Sequence, residues 1–136
     1  MFRQRSAGLL LHLTSLPGRH GSGDLSKAAF QFIDFLAAAG QSWGQMRPVG
    51  PPGNPPGNSP YSSCSSVAGS PYLVSLETLR QEGWLTRREI EPDGRFDAGR
   101  VRFPLVRAFR EQRLRQAWER FRTARLSSRH EFLDFC

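Results

Sequence analysis

The succession Ser59-Pro60-Tyr61 contains the residue types in this sequence that are best suited to holding a ligand. It lies in a loop rich in Ser, Gly, Pro and Tyr, which also includes Tyr72. A tyrosine ring next to a proline loses little conformational entropy when it stacks on the C–H face of a sugar, and its hydroxyl can hydrogen-bond. Packing of the ring beneath the loop explains Tyr61 equally well, and we favour packing for Tyr72.

The small polar residues from Ser62 to Ser66, with Cys64 among them, are a second candidate for chemistry. A reactive Ser or Cys needs a base within hydrogen-bond reach and a third group that orients the base. His12 or His20 could supply the base, but no G-x-S-x-G turn surrounds the serines. We therefore interpret the run as packing of the loop.

Four acidic residues, Glu89, Glu91, Asp93 and Asp97, lie in a hydrophilic segment. A general acid must be partly desolvated to stay protonated near neutral pH, whereas this segment predicts exposure and ordinary acidity. Asp34, on the first predicted helix, is expected to face solvent. We assign no catalytic residue.

Two further kinds of site are not supported by the spacing of the residues. Gly21-Ser22-Gly23 lacks the third glycine of a dinucleotide fingerprint, because position 26 is Ser, and we interpret it as a turn. The cysteines and histidines are scattered and have no metal-ligand spacing. We predict no metal site and no cofactor.

The formal net charge of +7 is concentrated near one end of the chain: residues 100–129 carry ten Arg and two Glu. An Arg-rich helix that tracks phosphates would bind nucleic acid in a salt-sensitive way. The segment lacks aromatics interleaved for base stacking, so we favour a solvated helix face or a face that meets acidic residues elsewhere. The apolar runs are too short to span a bilayer and no signal peptide is recognisable, which predicts a cytoplasmic protein that does not use a membrane.

The first half of the sequence predicts a βαβ unit with two parallel strands. Ala7–Leu13 is an apolar run typical of a strand buried on both faces. A helix follows, capped by Asp24 or Ser26 and ended by Gly40, and Ser42–Val49 is the second strand.

The second half predicts a long loop and then mainly helices. Loops of this length are usually functional or disordered. The predicted elements are the loop Gly50–Pro71, a strand Tyr72–Leu76, a helical turn Leu76–Gln81 closed by Gly83, a polar surface loop Glu89–Gly99, an Arg-rich helix with Pro104 in its first turn, and a short helix Arg129–Phe135.

Four blocks of this sequence carry a resemblance to a known family. They are Ser6–Gly18, Gly21–Leu25, Phe32–Gln41 and Asn58–Val74. In this order, and with the last block extended back to include Gly50 and Pro51 so that it spans Gly50–Val74, they resemble the amino-terminal signature of the amylomaltases, the 4-alpha-glucanotransferases. The similarity is strong over about residues 6–83 and weaker over residues 84–136, and we treat residues 1–136 as one region.

The resemblance implies an α/β fold: an incomplete (β/α)8 TIM barrel with its first βα units, a long substrate-side loop and a C-terminal Arg-rich helical segment. A whole barrel takes about 250 residues. The implied activity is transfer of α-1,4-glucan segments between maltooligosaccharides with retention, through a carboxylate nucleophile and a second acid. By the same resemblance Ser59 and Tyr61 bind substrate. The catalytic carboxylates lie in later strands, so a fragment inactive without the remainder of the barrel is expected.

Some positions depart from the family pattern. Cys64 and Val67 stand where bulky aromatics are expected, and Gly44 and Arg47 are unusual in a barrel strand. Two alternative functions stay open at this point: a small basic nucleic-acid-binding protein, and a glucan binder that has lost catalysis.

Overall fold

The computed structural model describes residues 5–53, 58–92, 94–97, 99–124 and 134. The regular elements are β1 (Gly8–Leu10), α1 (Lys27–Ala38), β2 (Trp43–Gln45), α2 (Leu76–Gln81) and α3 (Phe103–Thr123), with 3₁₀ turns at Leu13–Ser15 and Pro71–Leu73. Apart from Asp134, the predicted helix Arg129–Phe135 lies outside the described residues.

The two strands lie side by side and parallel, which confirms the order of the predicted βαβ unit. The predicted bounds Ala7–Leu13 and Ser42–Val49 are too long, because each strand has three residues and Leu13 already belongs to a 3₁₀ turn. Gly8 pairs with Trp43 and Leu10 with Gln45. The Leu11 N–H extends the ladder by donating to the Gln45 carbonyl at 3.0 Å. Because the strands are parallel, both end at the same edge of the sheet, and the loops that follow them meet there.

The prediction that the first strand is buried on both faces is wrong. All residues of β1 and β2 are exposed; Leu10 is 53% and Trp43 is 55% exposed. The apolar residues of α1 are also largely uncovered, since Ala29 and Leu36 are buried while Phe35 is 63% exposed. The physical reason is that a sheet of two strands has two open edges and cannot enclose side chains on both faces.

The ends of α1 follow local signals that the sequence predicted. Ser26 occupies the N-cap position, although its side chain makes no capping hydrogen bond. At the other end Gly40 has a φ of +70°, and the Gln41 N–H donates to the Leu36 carbonyl at 2.9 Å. This left-handed glycine closes the last helical turn, as expected for a helix C-terminus.

The main hydrophobic core lies between α2, α3 and the segment that joins them. Its buried residues are Leu76, Leu85, Ile90, Phe109 and Ala117. Ile90 is 0% exposed and Phe96 packs against the cluster, so the prediction of a polar surface loop over Glu89–Gly99 is wrong at these two positions. Their apolar surface is covered by α3, which lies further along the chain.

The predicted strand Tyr72–Leu76 is also wrong. Ser70 begins a 3₁₀ turn by accepting a hydrogen bond from the Tyr72 N–H at 3.3 Å, and Ser75 begins α2 by accepting one from the Thr78 N–H at 3.1 Å. Two serines that cap consecutive turns therefore replace the extended conformation. The helical turn that follows, closed by Gly83 with a φ of +85°, is confirmed.

Replacing Ile90 tests whether the joining segment belongs to the core. Ile90→Ala should lower the free energy of unfolding by about 2–5 kcal/mol, and Ile90→Val by about 0.5–1.5 kcal/mol. Urea unfolding followed by circular dichroism measures both. Equal and negligible effects of the two substitutions would show that the segment is peripheral.

Candidate functional site

A cleft of about 560 Å³ opens at the edge of the sheet where β1 and β2 end. One side is formed by residues that follow β1, including His12 and Thr14, and another by Arg47 and the loop after β2. Asn58 and Tyr72 contribute further polar groups to the lining. None of the lining residues in the described part of the chain is acidic.

His12 joins the segments that follow the two strands. Its Nδ1 accepts hydrogen bonds from the Thr14 hydroxyl at 2.8 Å and the Thr14 N–H at 3.3 Å, and its Nε2 lies 3.4 Å from the Pro48 carbonyl oxygen. A carbonyl can only accept, so these partners assign the proton of the neutral ring to Nε2. The ring therefore serves to hold the cleft together.

The predicted ligand-binding residues Ser59 and Tyr61 lie on a turn at the mouth of this cleft. Ser59 and Pro60 line the cleft. The Ser59 Oγ accepts a hydrogen bond from the Tyr61 N–H at 3.3 Å, which stabilises the turn. The Tyr61 side chain is 71% exposed, so packing beneath the loop does not describe it. Contact of either residue with a sugar stays a prediction.

A hydrogen-bonded group of three residues ties the middle of the loop to Tyr72 and α3. Tyr72, which is 5% exposed, accepts from Arg107 Nε at 3.0 Å and donates to the Asn58 Oδ1 at 3.3 Å. Arg107 also donates to the Asn58 Oδ1 at 3.3 Å. The hydrogen bond that Arg107 donates to the Tyr72 hydroxyl oxygen raises the pKa of Arg107. Packing of Tyr72 is confirmed, whereas Asn58 and Arg107 were missed because they are 49 residues apart and no local pattern relates them.

The serine run lacks the base that a nucleophile needs. The Ser63 hydroxyl lies 2.9 Å from the Pro51 carbonyl oxygen, while the His12 ring is engaged by Thr14 and the Pro48 carbonyl. The His20 ring is buried against Phe109, with the ring centres 5.9 Å apart. The interpretation of the run as loop packing agrees with these contacts.

Among the carboxylates after Leu85, Glu89 is held by a cationic partner and by Thr86. Glu89 accepts hydrogen bonds from two nitrogens of Arg120, at 2.6 and 2.9 Å, and from the Thr86 N–H at 2.7 Å. The bonds from Arg120, followed by those from Thr86, lower the pKa of Glu89 to about 2. Our prediction of ordinary acidity is thus wrong for Glu89, which is ionised at neutral pH and cannot act as a general acid. Asp93 lies outside the described residues.

Several arginines of α3 bind other parts of the protein, in contrast to a wholly solvated face. Arg110 is 1% exposed and its Nη2 lies 2.8 Å from the Asp24 Oδ2. Arg107 and Arg120 are engaged as described above. Fewer cations are therefore available to phosphates than the local charge suggests, which disfavours the nucleic-acid alternative. Of the helices in the described residues, none combines the length and apolar character needed to cross a membrane.

Removing the Tyr72 hydroxyl tests the anchor of the loop. Tyr72→Phe keeps the ring but leaves Asn58 and Arg107 without their shared partner, so the free energy of unfolding should fall by about 1 kcal/mol. Tyr61→Phe makes the same chemical change on an exposed ring and should have almost no effect. Urea unfolding compares the variants; equal effects at the two positions would contradict the anchoring role.

The lowered pKa of Glu89 predicts a pH dependence of stability. The folded state loses its proton from Glu89 at about pH 2, whereas the unfolded state does so near 4.5. The unfolded state therefore binds more protons in this interval, and stability contributed by Glu89 is lost as the pH falls from about 4.5 towards 2. The stability difference between the wild type and Glu89→Gln should shrink over that range in thermal unfolding. Glu82→Gln, at an exposed position, should show no such trend, and a constant difference for Glu89→Gln would argue against the ion pair.

Comparison with known proteins places this arrangement among glucan-modifying enzymes. Residues 11–136 match the family described as 4-alpha-glucanotransferase. The 4-alpha-glucanotransferase of Synechocystis sp. is 46% identical over 137 aligned residues, which is 100% of this chain and 27% of the relative. That of Thermus thermophilus is 42% identical over 118 residues, or 87% of this chain and 22% of the relative.

A solved structure gives the same result at the level of the fold. The amylomaltase from Streptococcus agalactiae in complex with acarbose superposes with a TM-score of 0.87 at 29% identity, covering 97% of this chain and 26% of that protein. The α/β class is thus confirmed, with the described residues forming part of a barrel. The chain spans about a quarter of the length of the relatives it matches. Since the family profile covers well over half of its residues, the chain belongs to the 4-alpha-glucanotransferase family.

Proposed function

We propose that this chain supplies sugar-binding loops of a 4-alpha-glucanotransferase, which moves an α-1,4-linked glucan segment from one maltooligosaccharide to another with retention. The observation that carries the proposal is the cleft at the carboxyl ends of β1 and β2, with Ser59 in its lining and the exposed ring of Tyr61 at its mouth. Barrel enzymes bind their substrates at this end of the strands.

The proposed roles follow from the chemistry of the side chains. The Tyr61 ring stacks on a glucose unit next to the bond that is cleaved, and Ser59 hydrogen-bonds nearby. The solved amylomaltase in complex with acarbose supports an α-glucan as the ligand class. Retention requires two carboxyl groups, one that acts as the nucleophile and one that acts as the general acid and base. The cleft lining contains no acidic residue among those described, so we assign binding to this chain and the catalytic pair to residues outside it.

Two further predictions accompany the proposal. Residues 1–136 form one region of the catalytic barrel, which docks against the remainder of that barrel. The protein works in the cytoplasm and needs no cofactor.

Binding of maltoheptaose tests the role of Tyr61. Tyr61→Ala should weaken binding roughly tenfold, because the apolar contact with the sugar ring is lost. Tyr61→Phe should bind nearly as well as the wild type, since the stacking face remains. Val67→Ala, in the same loop at a side chain that is 94% exposed, serves as the matched control. Isothermal titration calorimetry measures the dissociation constants, and equal binding by Tyr61→Ala and the wild type would refute the assigned role.

Product analysis tests the transfer reaction itself. The complete product of the gene that encodes this chain is incubated with maltotriose, and the sugars are separated by chromatography. Glucose together with maltooligosaccharides longer than the substrate is the expected result. Maltotriose that is bound but unchanged would instead favour the non-catalytic glucan binder, and glucose without longer products would indicate hydrolysis.

A further inference from the structure

Arg47 lies in the cleft beside the tyrosine turn. It follows β2 by two residues and lines the cleft, and its guanidinium carbon is 5.9 Å from the centre of the Tyr61 ring. Within the described part of the chain, Arg47 makes no hydrogen bond or ion pair with a side chain, and the cleft lining offers it no carboxylate. Its described side-chain contact is therefore the face of an aromatic ring.

Such a contact is attractive and directional. A guanidinium within about 6 Å of a tyrosine ring centre is drawn to the negative ring face. The position of the Tyr61 backbone is set by the hydrogen bond to Ser59, but this bond does not fix the orientation of the ring. The large exposed fraction of the Tyr61 side chain leaves few other contacts that could do so. Arg47 is thus placed to decide which way the ring faces.

The backbone of Arg47 is itself well placed for this role. Leu11 is hydrogen-bonded to Gln45 at 3.0 Å, two residues before Arg47, and His12 lies 3.4 Å from the Pro48 carbonyl oxygen, one residue after it. Both contacts tie the segment to the end of β1. A side chain held next to the end of the sheet therefore lies behind a ring that is carried by a long loop.

We propose that Arg47 is a positioning residue that covers one face of the Tyr61 ring and so presents the opposite face to a glucose unit in the cleft. This inference rests on the proposed function, because it assumes that Tyr61 stacks on a sugar. This positioning role differs from a direct hydrogen bond between Arg47 and sugar hydroxyls. A direct contact would act whether or not Tyr61 is present, whereas positioning acts only through the ring.

A double-mutant cycle on maltoheptaose binding separates these roles. The full chain is titrated by calorimetry as the wild type, Arg47→Leu, Arg47→Lys, Tyr61→Ala and the double variant Arg47→Leu with Tyr61→Ala. Arg47→Leu should raise the dissociation constant about two- to fivefold, the range expected for an exposed cation–π contact. Arg47→Lys keeps the positive charge, so its dissociation constant should lie closer to that of the wild type. In the Tyr61→Ala background, Arg47→Leu should change the dissociation constant no further.

The control is Arg87→Leu, which removes the same charge at an exposed position that does not line the cleft. It should bind like the wild type. If Arg47→Leu raises the dissociation constant as much in the Tyr61→Ala background as in the wild type, the positioning role is overturned. It is also overturned if Arg87→Leu raises the dissociation constant as much as Arg47→Leu does. If Tyr61→Ala weakens binding while Arg47→Leu does not, the inference fails and the proposed function stands. If Tyr61→Ala has no effect, the assigned role of Tyr61 fails, and the inference fails with it.

Discussion

The buried ion pair between Arg110 and Asp24 is the interaction on which the arrangement of this chain depends. Arg110 is 1% exposed; besides Asp24 at 2.8 Å, it donates to the Val74 carbonyl at 2.8 Å. One side chain therefore connects α3, the residues before α1 and the residues before α2. Removing one member of such a pair generally costs about 3–5 kcal/mol, because the other charge stays buried without compensation. Arg107 lies one helical turn before Arg110 on α3, so the pair also places the side chain that anchors the long loop after β2.

The buried polar groups around the Arg110–Asp24 ion pair contribute little to the stability of the fold. His20 Nε2, Ser22 Oγ and Arg110 Nε are buried and have no hydrogen-bond partner among the described residues. Burial, and then the charge of Arg110, lower the pKa of His20, so its ring is neutral near pH 7. A neutral ring avoids a second positive charge beside Arg110, and the single carboxylate of Asp24 balances the guanidinium. Because the three unpartnered polar atoms are expensive to bury, the surroundings of the pair do not by themselves stabilise the fold.

Local sequence signals predicted the first strands and helix, whereas the burial and ionisation of later residues depend on contacts that are distant in sequence. The apolar runs, the serine at position 26 and Gly40 were enough to predict β1, α1 and β2 in parallel order, because each signal acts within a few residues. The burial of Ile90 depends on Phe109, which comes 19 residues later, and the low pKa of Glu89 depends on Arg120, which comes 31 residues later. The local secondary-structure propensities of these residues do not reveal such contacts.

The residues of the candidate site also fall into two groups: those that the sequence indicated and those that only the folded structure reveals. Ser59 and Tyr61 were found from residue type and from the resemblance to a family, and their turn could be predicted from the proline between them. Asn58 and Arg107 carry no such signal: an asparagine before a turn and one arginine among ten look ordinary in sequence. Their importance comes from meeting at the hydroxyl of Tyr72, which only the folded chain brings about.

These contacts explain how Tyr61, the proposed ligand-binding residue, can stay exposed and still be well placed. The long loop after β2 is held at its far end by the Ser70 N–H, which donates to the Val49 carbonyl at 2.8 Å, and at its middle by Asn58. Each such contact shortens the segment that must be ordered when a ligand binds, which lowers the entropic cost of binding. Tyr61 therefore needs no burial of its own, and its ring remains open to a sugar. Part of the positive charge of α3 is therefore used within the protein: the Arg107 guanidinium holds the loop through Asn58 and Tyr72, and the Arg110 guanidinium binds Asp24 and the Val74 carbonyl.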